Sequence, residues 1–207
     1  MKTVKSIVAA SVMLAAMQVC GVAANEMNKS YKVEPQFIMG YAFGGDDMGT
    51  LKYEDGSDSD VTSGGGYTLG AGLKVSFDAK PYGVKTSVNY HGDSATAENA
   101  DITFDRFEFS VMPYYQLNEN VNVAVGVSYH TGVEYEVDFE GTENFEFDAA
   151  IAWMAEFEYM SSRNLAFSLR GTVVDYEVAE HNDRSVSSTE NVSGNNLGIF
   201  MTYSFGQ

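Results

Sequence analysis

Strict alternation of apolar residues with small or polar residues runs through Val121-Asn-Val-Ala-Val-Gly-Val-Ser-Tyr129. Successive side chains of a β-strand point to opposite faces, so this segment predicts a strand with one apolar face and one face of small side chains. A strand that meets water normally carries Lys and Glu on its polar face. A face of small residues instead suits the crowded interior of a narrow barrel whose apolar face points outward.

The same alternation recurs along most of the chain. Seven further segments carry it, at residues 35–44, 66–77, 84–91, 102–115, 145–159, 165–178 and 197–205. Long polar connections (45–65, 92–101, 140–144 and 179–194) alternate with short ones (78–83, 117–120 and 161–164). No segment has a sustained period of 3.6 residues. We therefore expect an all-β fold, an eight-stranded antiparallel up-and-down barrel, with both termini at the end that bears the short turns.

Composition excludes several other classes. The chain has 207 residues, a net charge of −17, 13% aromatic residues and a single Cys. Disordered proteins contain few aromatics, and a disulfide scaffold needs paired cysteines. A chain this acidic repels the phosphates of nucleic acids. The sequence contains no run of about 18 apolar residues, which a transmembrane helix would need.

The N-terminus has the pattern of a secretory signal peptide. Lys2 and Lys5 precede an apolar stretch over residues 7–20, and small residues follow up to Ala24. We expect cleavage after Ala24, with residues 1–24 as the signal and 25–207 as the barrel domain. A buried N-terminal helix and a lipoprotein signal acylated at Cys20 are the alternatives.

An outer-membrane barrel and a soluble barrel or sandwich both use alternating strands, but three features favour the membrane. The non-apolar faces are rich in small residues, the last strand ends close to the C-terminus, and aromatics cluster at strand ends. The ten residues from Phe147 to Phe157 rise about 25 Å at about 3.3 Å per residue and about 40° of tilt, which matches the apolar band of such a barrel. Trp153 is the exception, because it falls near the middle of that band.

Three segments carry a resemblance to a known family: residues 37–45 (Phe-Ile-Met-Gly-Tyr-Ala-Phe-Gly-Gly), residues 67–73 (Tyr-Thr-Leu-Gly-Ala-Gly-Leu) and the terminal Tyr203-Ser-Phe205. With the signal peptide, they resemble the small outer-membrane β-barrel proteins of Gram-negative bacteria, relatives of the OmpA membrane domain and OmpX often labelled "porin family". The resemblance implies the bacterial outer membrane as location, and Tyr203 and Phe205 as an assembly signal, although Gly206 and Gln207 follow them. It fixes no activity, because such barrels include structural proteins, narrow channels, adhesins and lipid enzymes.

Alternation directs a set of charged side chains into the lumen. Because charge away from water must pair, we expect either a salt-bridge plug or a gate that passes small ions. Glu156 and Arg170 fall within about two residues of direct opposition across a hairpin. The predicted lumen network is Lys74, Lys85, Arg106, Glu108, Glu156, Glu158 and Arg170.

Little in the sequence indicates catalysis, and we expect no enzyme, cofactor or metal. Ser128 and His130 share one face, but no third catalytic member accompanies them, and a histidine near Arg106 at the barrel rim is the simpler interpretation. The stretch Asp55-Gly-Ser-Asp58-Ser-Asp60 lacks the glutamate that completes a calcium loop. For the acidic loops, a solvated and repulsive surface is the leading interpretation, and diffuse attraction of divalent cations near anionic lipopolysaccharide is the alternative. We expect the barrel to be a monomer.

The fifth segment continues past Tyr129 in the same phase. The 19 residues from Val121 to Phe139 rise about 45–50 Å, so about 20 Å should stand above the membrane. The predicted extracellular hairpin has an acidic face and an apolar face, with Glu134, Tyr135, Glu136, Val137, Asp138 and Phe139. We hypothesise that its apolar face docks an external protein; a loop shielded by lipopolysaccharide sugars is the alternative. The leading function is thus structural or surface interaction, then a narrow channel, and last a lipid-modifying enzyme.

Overall fold

The computed structural model describes residues 30–53, 56–97, 100–139, 141–182, 184–185 and 191–205. The expected signal peptide (1–24) lies outside the described residues, as do six acidic residues of the long connections: Glu54, Asp55, Glu98, Glu140, Asp183 and Glu190. Within the described residues, no helix combines the length and apolarity needed to cross a membrane.

The described part of the chain forms fourteen strands. They are β1 (Tyr31–Gly44), β2 (Asp47–Lys52), β3 (Asp58–Thr62), β4 (Gly66–Phe77), β5 (Tyr82–Ala97), β6 (Ala100–Asn118), β7 (Val121–Asp138), β8 (Thr142–Phe147), β9 (Ala150–Met160), β10 (Leu165–Val173), β11 (Asp175–His181), β12 (Arg184–Ser185), β13 (Asn191–Ser193) and β14 (Asn196–Ser204).

Eight of these strands close into an antiparallel barrel in the order β1-β4-β5-β6-β7-β9-β10-β14. The last strand pairs back with the first, so that Phe37 lies opposite both Tyr203 on β14 and Ala71 on β4. The short β4–β5, β6–β7 and β9–β10 connections share one end with Tyr31 and Ser204. The expected eight-stranded up-and-down barrel is therefore confirmed, and we place its short-turn end on the periplasmic side.

The outward face of the barrel is apolar and bounded by aromatic side chains at both ends. Tyr41, Tyr67 and Tyr129 are exposed toward the end with the long connections, here called the outer end, whereas Tyr82 and Tyr159 are exposed toward the short turns. Valine, leucine and isoleucine side chains between the two aromatic levels are exposed as well. This apolar band with aromatic borders matches the lipid-facing surface of an outer-membrane barrel.

The strands β5, β6 and β7 continue beyond the aromatic level, but the apolar residues of β7 change sides there. Asp105 pairs with Glu134 and Phe107 with Thr131, so two residues of β7 lie opposite one residue of β6. Gly132 occupies this bulge with a φ of 58°, a left-handed conformation that glycine adopts readily. The expected continuity of phase is therefore wrong, because the bulge turns Val133 inward, where it is 1% exposed.

The segment 145–159 is two strands rather than the single expected one. The chain leaves the ladder at Asp148 and Ala149. Phe145 and Phe147 then face inward, whereas Ile151 on β9 faces outward. Phe147 is therefore not part of the lipid-facing aromatic border. The height calculated from Phe147 to Phe157 does not measure the lipid-facing band. The segment 165–178 likewise divides into β10 and β11.

A small apolar core fills the outer end of the molecule. The 45–65 connection, expected as a polar loop, contains the β2–β3 hairpin, which packs against the inner face of the extended strands. Tyr135 on β7 donates a hydrogen bond to the Met48 carbonyl on β2 at 2.5 Å. We call this structure the cap; its buried core is Val61, Ala95, Ile102, Phe104, Val133, Phe147, Ala152, Val174 and Tyr176.

Candidate functional site

The structure buries all seven charged side chains expected in the lumen. Each is 9% exposed or less, and Arg106 is fully buried. They do not form one network, however. Five of them lie together at mid-barrel, and the other two lie nearer the outer end with two histidines.

The mid-barrel cluster is defined by Lys74, Lys85, Glu156, Glu158 and Arg170. Glu156 and Arg170 are direct cross-strand partners on β9 and β10. The Arg170 guanidinium donates from Nε and Nη2 to Glu156 Oε2 at 2.9 and 2.7 Å. Lys85 bonds Glu156 and also donates to Glu158 Oε2 at 2.9 Å, and Lys74 lies 3.5 Å from Glu158 Oε1. Three cations and two carboxylates thus form a continuous chain across the lumen.

Neutral side chains complete the coordination of this mid-barrel cluster. Asn122 donates to Glu158 Oε1 at 2.7 Å, and Ser168 donates to Glu156 Oε2 at 3.3 Å. The Arg170 guanidinium lies over the Phe200 ring at 4.3 Å. Glu34, which is 7% exposed, lies directly opposite Lys74 in the β1–β4 pair, and its Oε1 lies 3.2 Å from Lys32 Nζ. Paired, hydrogen-bonded charges are the form in which ionic groups persist inside a protein.

The second group, the mouth cluster, lies under the cap and consists of His91, Arg106, Glu108, His130 and Tyr176. Arg106 Nε donates to Glu108 Oε1 at 3.0 Å. The two histidines approach the same oxygen, His91 Nδ1 at 3.5 Å and His130 Nε2 at 3.9 Å. His130 Nδ1 lies 2.7 Å from the Tyr176 hydroxyl. One carboxylate therefore holds one guanidinium and lies beside two imidazoles.

The mouth cluster also fixes the backbone that crosses the lumen between β3 and β4. Arg106 Nη1 donates to the Ser63 carbonyl at 2.8 Å, and His91 Nε2 lies 2.7 Å from the Gly65 carbonyl. The Ser63 hydroxyl, fully buried, donates to the Ser193 carbonyl at 2.6 Å. Hydrogen bonds from charged donors are the stronger ones, so Arg106 is the principal anchor of this segment.

Little open space remains inside the barrel at mid-depth. The cavity there, lined by Gln36, Ile38 and parts of the mid-barrel cluster, measures about 10 Å³. That volume accommodates about one water molecule. Several buried polar atoms in the described lumen have no hydrogen-bond partner: Asn89 Oδ1, Arg106 Nη2, Asn122 Oδ1 and His130 Nε2. Buried polar atoms of this kind are usually satisfied by internal water.

Neither catalytic nor metal-binding geometry emerges from the described residues. Ser128 and His130 are both buried, but the Ser128 hydroxyl donates to the Phe109 carbonyl at 3.4 Å, and His130 contacts Tyr176 instead. No group of three or more His, Cys, Asp or Glu side chains in the described part is placed to hold a metal ion.

On the outer end, the bulge that turns the apolar residues inward turns carboxylates outward. Asp105, Glu134, Glu146 and Glu180 lie directly opposite one another on the neighbouring strands β6, β7, β8 and β11. We call this row the acidic face. Burial, together with the carboxylates of Asp47 and Glu143, raises the pKa of Tyr135 in the cap. The acidic face thus spans four strands above the aromatic border.

Comparison with known families agrees with this architecture. The family model for the outer membrane protein beta-barrel domain matches residues 7–205. The chain belongs to this family. As a member of the outer membrane protein beta-barrel domain family, it is located in the bacterial outer membrane. A search of curated proteins found no match.

Solved structures with a similar fold are distant in sequence. Ail, the attachment invasion locus protein of Yersinia pestis, is 12% identical, with 86% of this chain and 100% of Ail covered and a TM-score of 0.50. Ail in complex with the heparin analogue sucrose octasulfate is 14% identical over 84% of this chain and 99% of Ail (TM-score 0.49). Neisserial surface protein A is 11% identical over 86% and 100% (TM-score 0.48). At these identities, the likeness to Ail supports the barrel fold alone.

For this outer-membrane barrel, sequence reasoning missed two members of the mouth cluster, His91 and Tyr176, whereas His130 was expected near Arg106 and lies beside the same Glu108 oxygen. The sequence did contain a signal for His91, because His91 and Lys85 both occupy odd positions of β5 and therefore point to the same, inward side. His130 shares the parity of Asn122 on β7 and was interpreted as a rim histidine. Tyr176 also had such a signal, because it lies in the expected strand 165–178 at an even position, like the inward Arg170. Its contact with His130 did not follow from the sequence.

Proposed function

We propose that this protein is a non-enzymatic surface protein of the outer membrane whose lumen is closed and whose contacts are made through the cap. The observation that carries the proposal is the stacking of three filled layers along the lumen: the mid-barrel cluster, the mouth cluster and the apolar core of the cap. A cavity of about 10 Å³ separates side chains at mid-barrel. An ion path would require several of these buried, paired charges to separate, and each such separation is costly.

Conductance of the refolded protein in planar bilayers tests the proposal. We expect no discrete conductance steps from the wild-type barrel over long recordings. The matched comparison is Lys85→Met, which removes the cation that joins Glu156 to Glu158, with Lys80→Met, at an exposed position in the turn between β4 and β5, as control. Regular ion-selective steps from the wild-type protein would contradict a closed lumen.

A narrow channel is the second candidate, and the unpartnered lumen atoms favour it. Asn89 Oδ1, Asn122 Oδ1, Arg106 Nη2 and His130 Nε2 lie along the lumen from mid-barrel to the mouth. If water satisfies them all, they trace a hydrated path that a rearrangement of the mid-barrel cluster opens. The same recordings distinguish the candidates, because a gated path gives rare, brief openings that become frequent in Lys85→Met.

We further propose that the acidic face contacts divalent cations in the lipopolysaccharide layer. The chain carries a net charge of −17, and divalent cations can join such an acidic surface to the anionic lipopolysaccharide around it. The acidic exterior disfavours an anionic polysaccharide and favours a protein partner with a basic surface. A closed barrel leaves no membrane-embedded strand edge for pairing, which supports a monomer.

Binding of purified lipopolysaccharide, with and without a chelator of divalent cations, tests this contact. We expect that Glu134→Gln combined with Glu146→Gln weakens the cation-dependent part of the binding. The control is Glu119→Gln, which lies in the turn between β6 and β7 at the opposite end of the barrel. Equal binding by both variants in the presence of cations would refute the role of the acidic face.

A further inference from the structure

A groove opens on the lipid-facing surface of β9, β10 and β14, near the outer end of the barrel. It is shallow and open on the membrane side, with a volume of about 550 Å³. Trp153 and Val173 are paired across β9 and β10, and Leu197 lies across β14. These walls are all exposed outward, Trp153 by 68% of its surface. The groove therefore faces the membrane rather than the lumen.

The floor of the groove is made by two small residues. Gly171 on β10 lies opposite Ala155 on β9 and opposite Leu197 on β14. A Cβ atom added at Gly171 would meet no atom within 4 Å.

Gly171 faces outward with Leu169 and Val173, so packing inside the barrel does not require its small size. It lies in an ordinary strand, makes no turn, has no left-handed φ, and leaves open space where its side chain would be. A glycine in a strand interior weakens the strand, and it marks a place where a ligand approaches the backbone. The groove also accounts for Trp153, the aromatic residue that lies one outward position inside the level of Tyr129.

We propose that this groove binds one acyl chain of an outer-leaflet lipid. The occupant follows from the location, since the groove lies in the apolar band where hydrocarbon chains are the surrounding medium. Its walls are the indole of Trp153 and branched aliphatic side chains, with the Phe43 ring beyond Leu197. A concave apolar surface in this band gives a chain more contacts than the convex remainder of the barrel.

The outer end of the groove is polar, as the head of such a lipid requires. Asn195 and Asn196 line it there. Asn195 Oδ1 accepts from the Val174 amide at 2.8 Å, and Asn196 Nδ2 donates to the Gly194 carbonyl at 3.0 Å. Each side chain uses one end of its amide in these bonds. In the proposed complex, the other ends, Asn195 Nδ2 and Asn196 Oδ1, would bond the ester or amide group that joins a chain to its head.

Trp153 is the single tryptophan of the sequence, so its fluorescence reports on this groove alone. The experiment titrates a fatty acid brominated along its chain into the refolded full-length protein in detergent micelles, at low mole fraction. The variants are Gly171→Leu, which fills the floor, and Gly171→Val as a smaller filler. Ala71→Leu, on the outward face of β4 away from the groove, is the matched control.

We expect saturable quenching in the wild-type protein and in Ala71→Leu, reversed by unbrominated fatty acid. Filling the floor removes contacts with several methylene groups, so half-quenching of Gly171→Leu should require about tenfold more brominated chain. Quenching that rises linearly with mole fraction and is equal in wild type and both Gly171 variants would overturn the proposal. So would a stable dimer in which Trp153 is shielded from the brominated chain, because a second copy then covers the groove.

Discussion

Replacing Arg170 by methionine tests whether the mid-barrel cluster holds the barrel together. The substitution keeps most of the side-chain length and removes the guanidinium. In the wild-type protein this group is 7% exposed, donates two hydrogen bonds to Glu156 Oε2 at 2.9 and 2.7 Å, and lies 4.3 Å from the Phe200 ring centre. Its loss leaves a buried carboxylate with less compensation than before.

The magnitude follows from the partners that remain. Removing one member of a buried ion pair costs about 3–5 kcal/mol. Glu156 retains Lys85 and Ser168 after the substitution, so the lower end of that range applies, about 3 kcal/mol. The cost should change little with salt, because the pair is shielded from mobile ions.

Urea unfolding of the barrel refolded in lipid vesicles, followed by Trp153 fluorescence, measures the loss. Arg163→Met is the matched control, because Arg163 is an exposed arginine in the same β9–β10 hairpin; its effect should stay within about 0.5 kcal/mol. In a double-mutant cycle with Glu156→Gln, the coupling energy should be about 1–3 kcal/mol. If Arg170→Met costs no more than Arg163→Met, the charges are not coupled and the reasoning fails.

Four further predictions concern the cap and the N-terminus. Arg106→Gln removes the charged donor to the Ser63 carbonyl, and we expect limited proteolysis to cleave the connection between β3 and β4 while the barrel stays intact. Gly132→Ala places a side chain at φ 58° and should cost about 1–2 kcal/mol by urea unfolding. The raised pKa of Tyr135 means that the unfolded chain loses this proton first; stability should fall as pH rises above about 10, less so in Tyr135→Phe. Mass analysis of outer-membrane material should find cleavage after Ala24, and an intact N-terminus would contradict the expected signal peptide.

The barrel could be predicted from sequence because one rule, alternation, applies along each membrane-spanning strand. The same rule directed all seven charged residues to the lumen. It could not divide them into two clusters, since depth depends on the stagger between strands. Lys85 and Arg106 both point inward, but in the β5–β6 ladder Lys85 lies opposite Met112 and Arg106 lies opposite His91. Such a register is fixed by pairing across the whole sheet, which no single segment encodes.

The cap was missed for a different reason, which concerns the solvent on each side of the barrel wall. Below the aromatic border, lipid surrounds the barrel and apolar side chains point outward; above it, water surrounds the extension and they must point inward. The chain makes this exchange in two ways. On β7 the apolar residues keep odd positions and the bulge at Gly132 rotates the backbone.

On β6 and from β10 into β11 the backbone keeps its phase, and the apolar residues change parity instead. Phe107 and Phe104 are spaced by three residues, the first partly exposed and the second buried. Val173 and Val174 are adjacent, 58% and 2% exposed. A change of parity within an alternating segment is therefore a readable sign of where a strand leaves the membrane. A glycine between two apolar runs that keep the same odd or even positions, such as Gly132, is a second sign of this exit. An exposed apolar hairpin should therefore be inferred only where the sequence shows neither a change of position nor such a glycine.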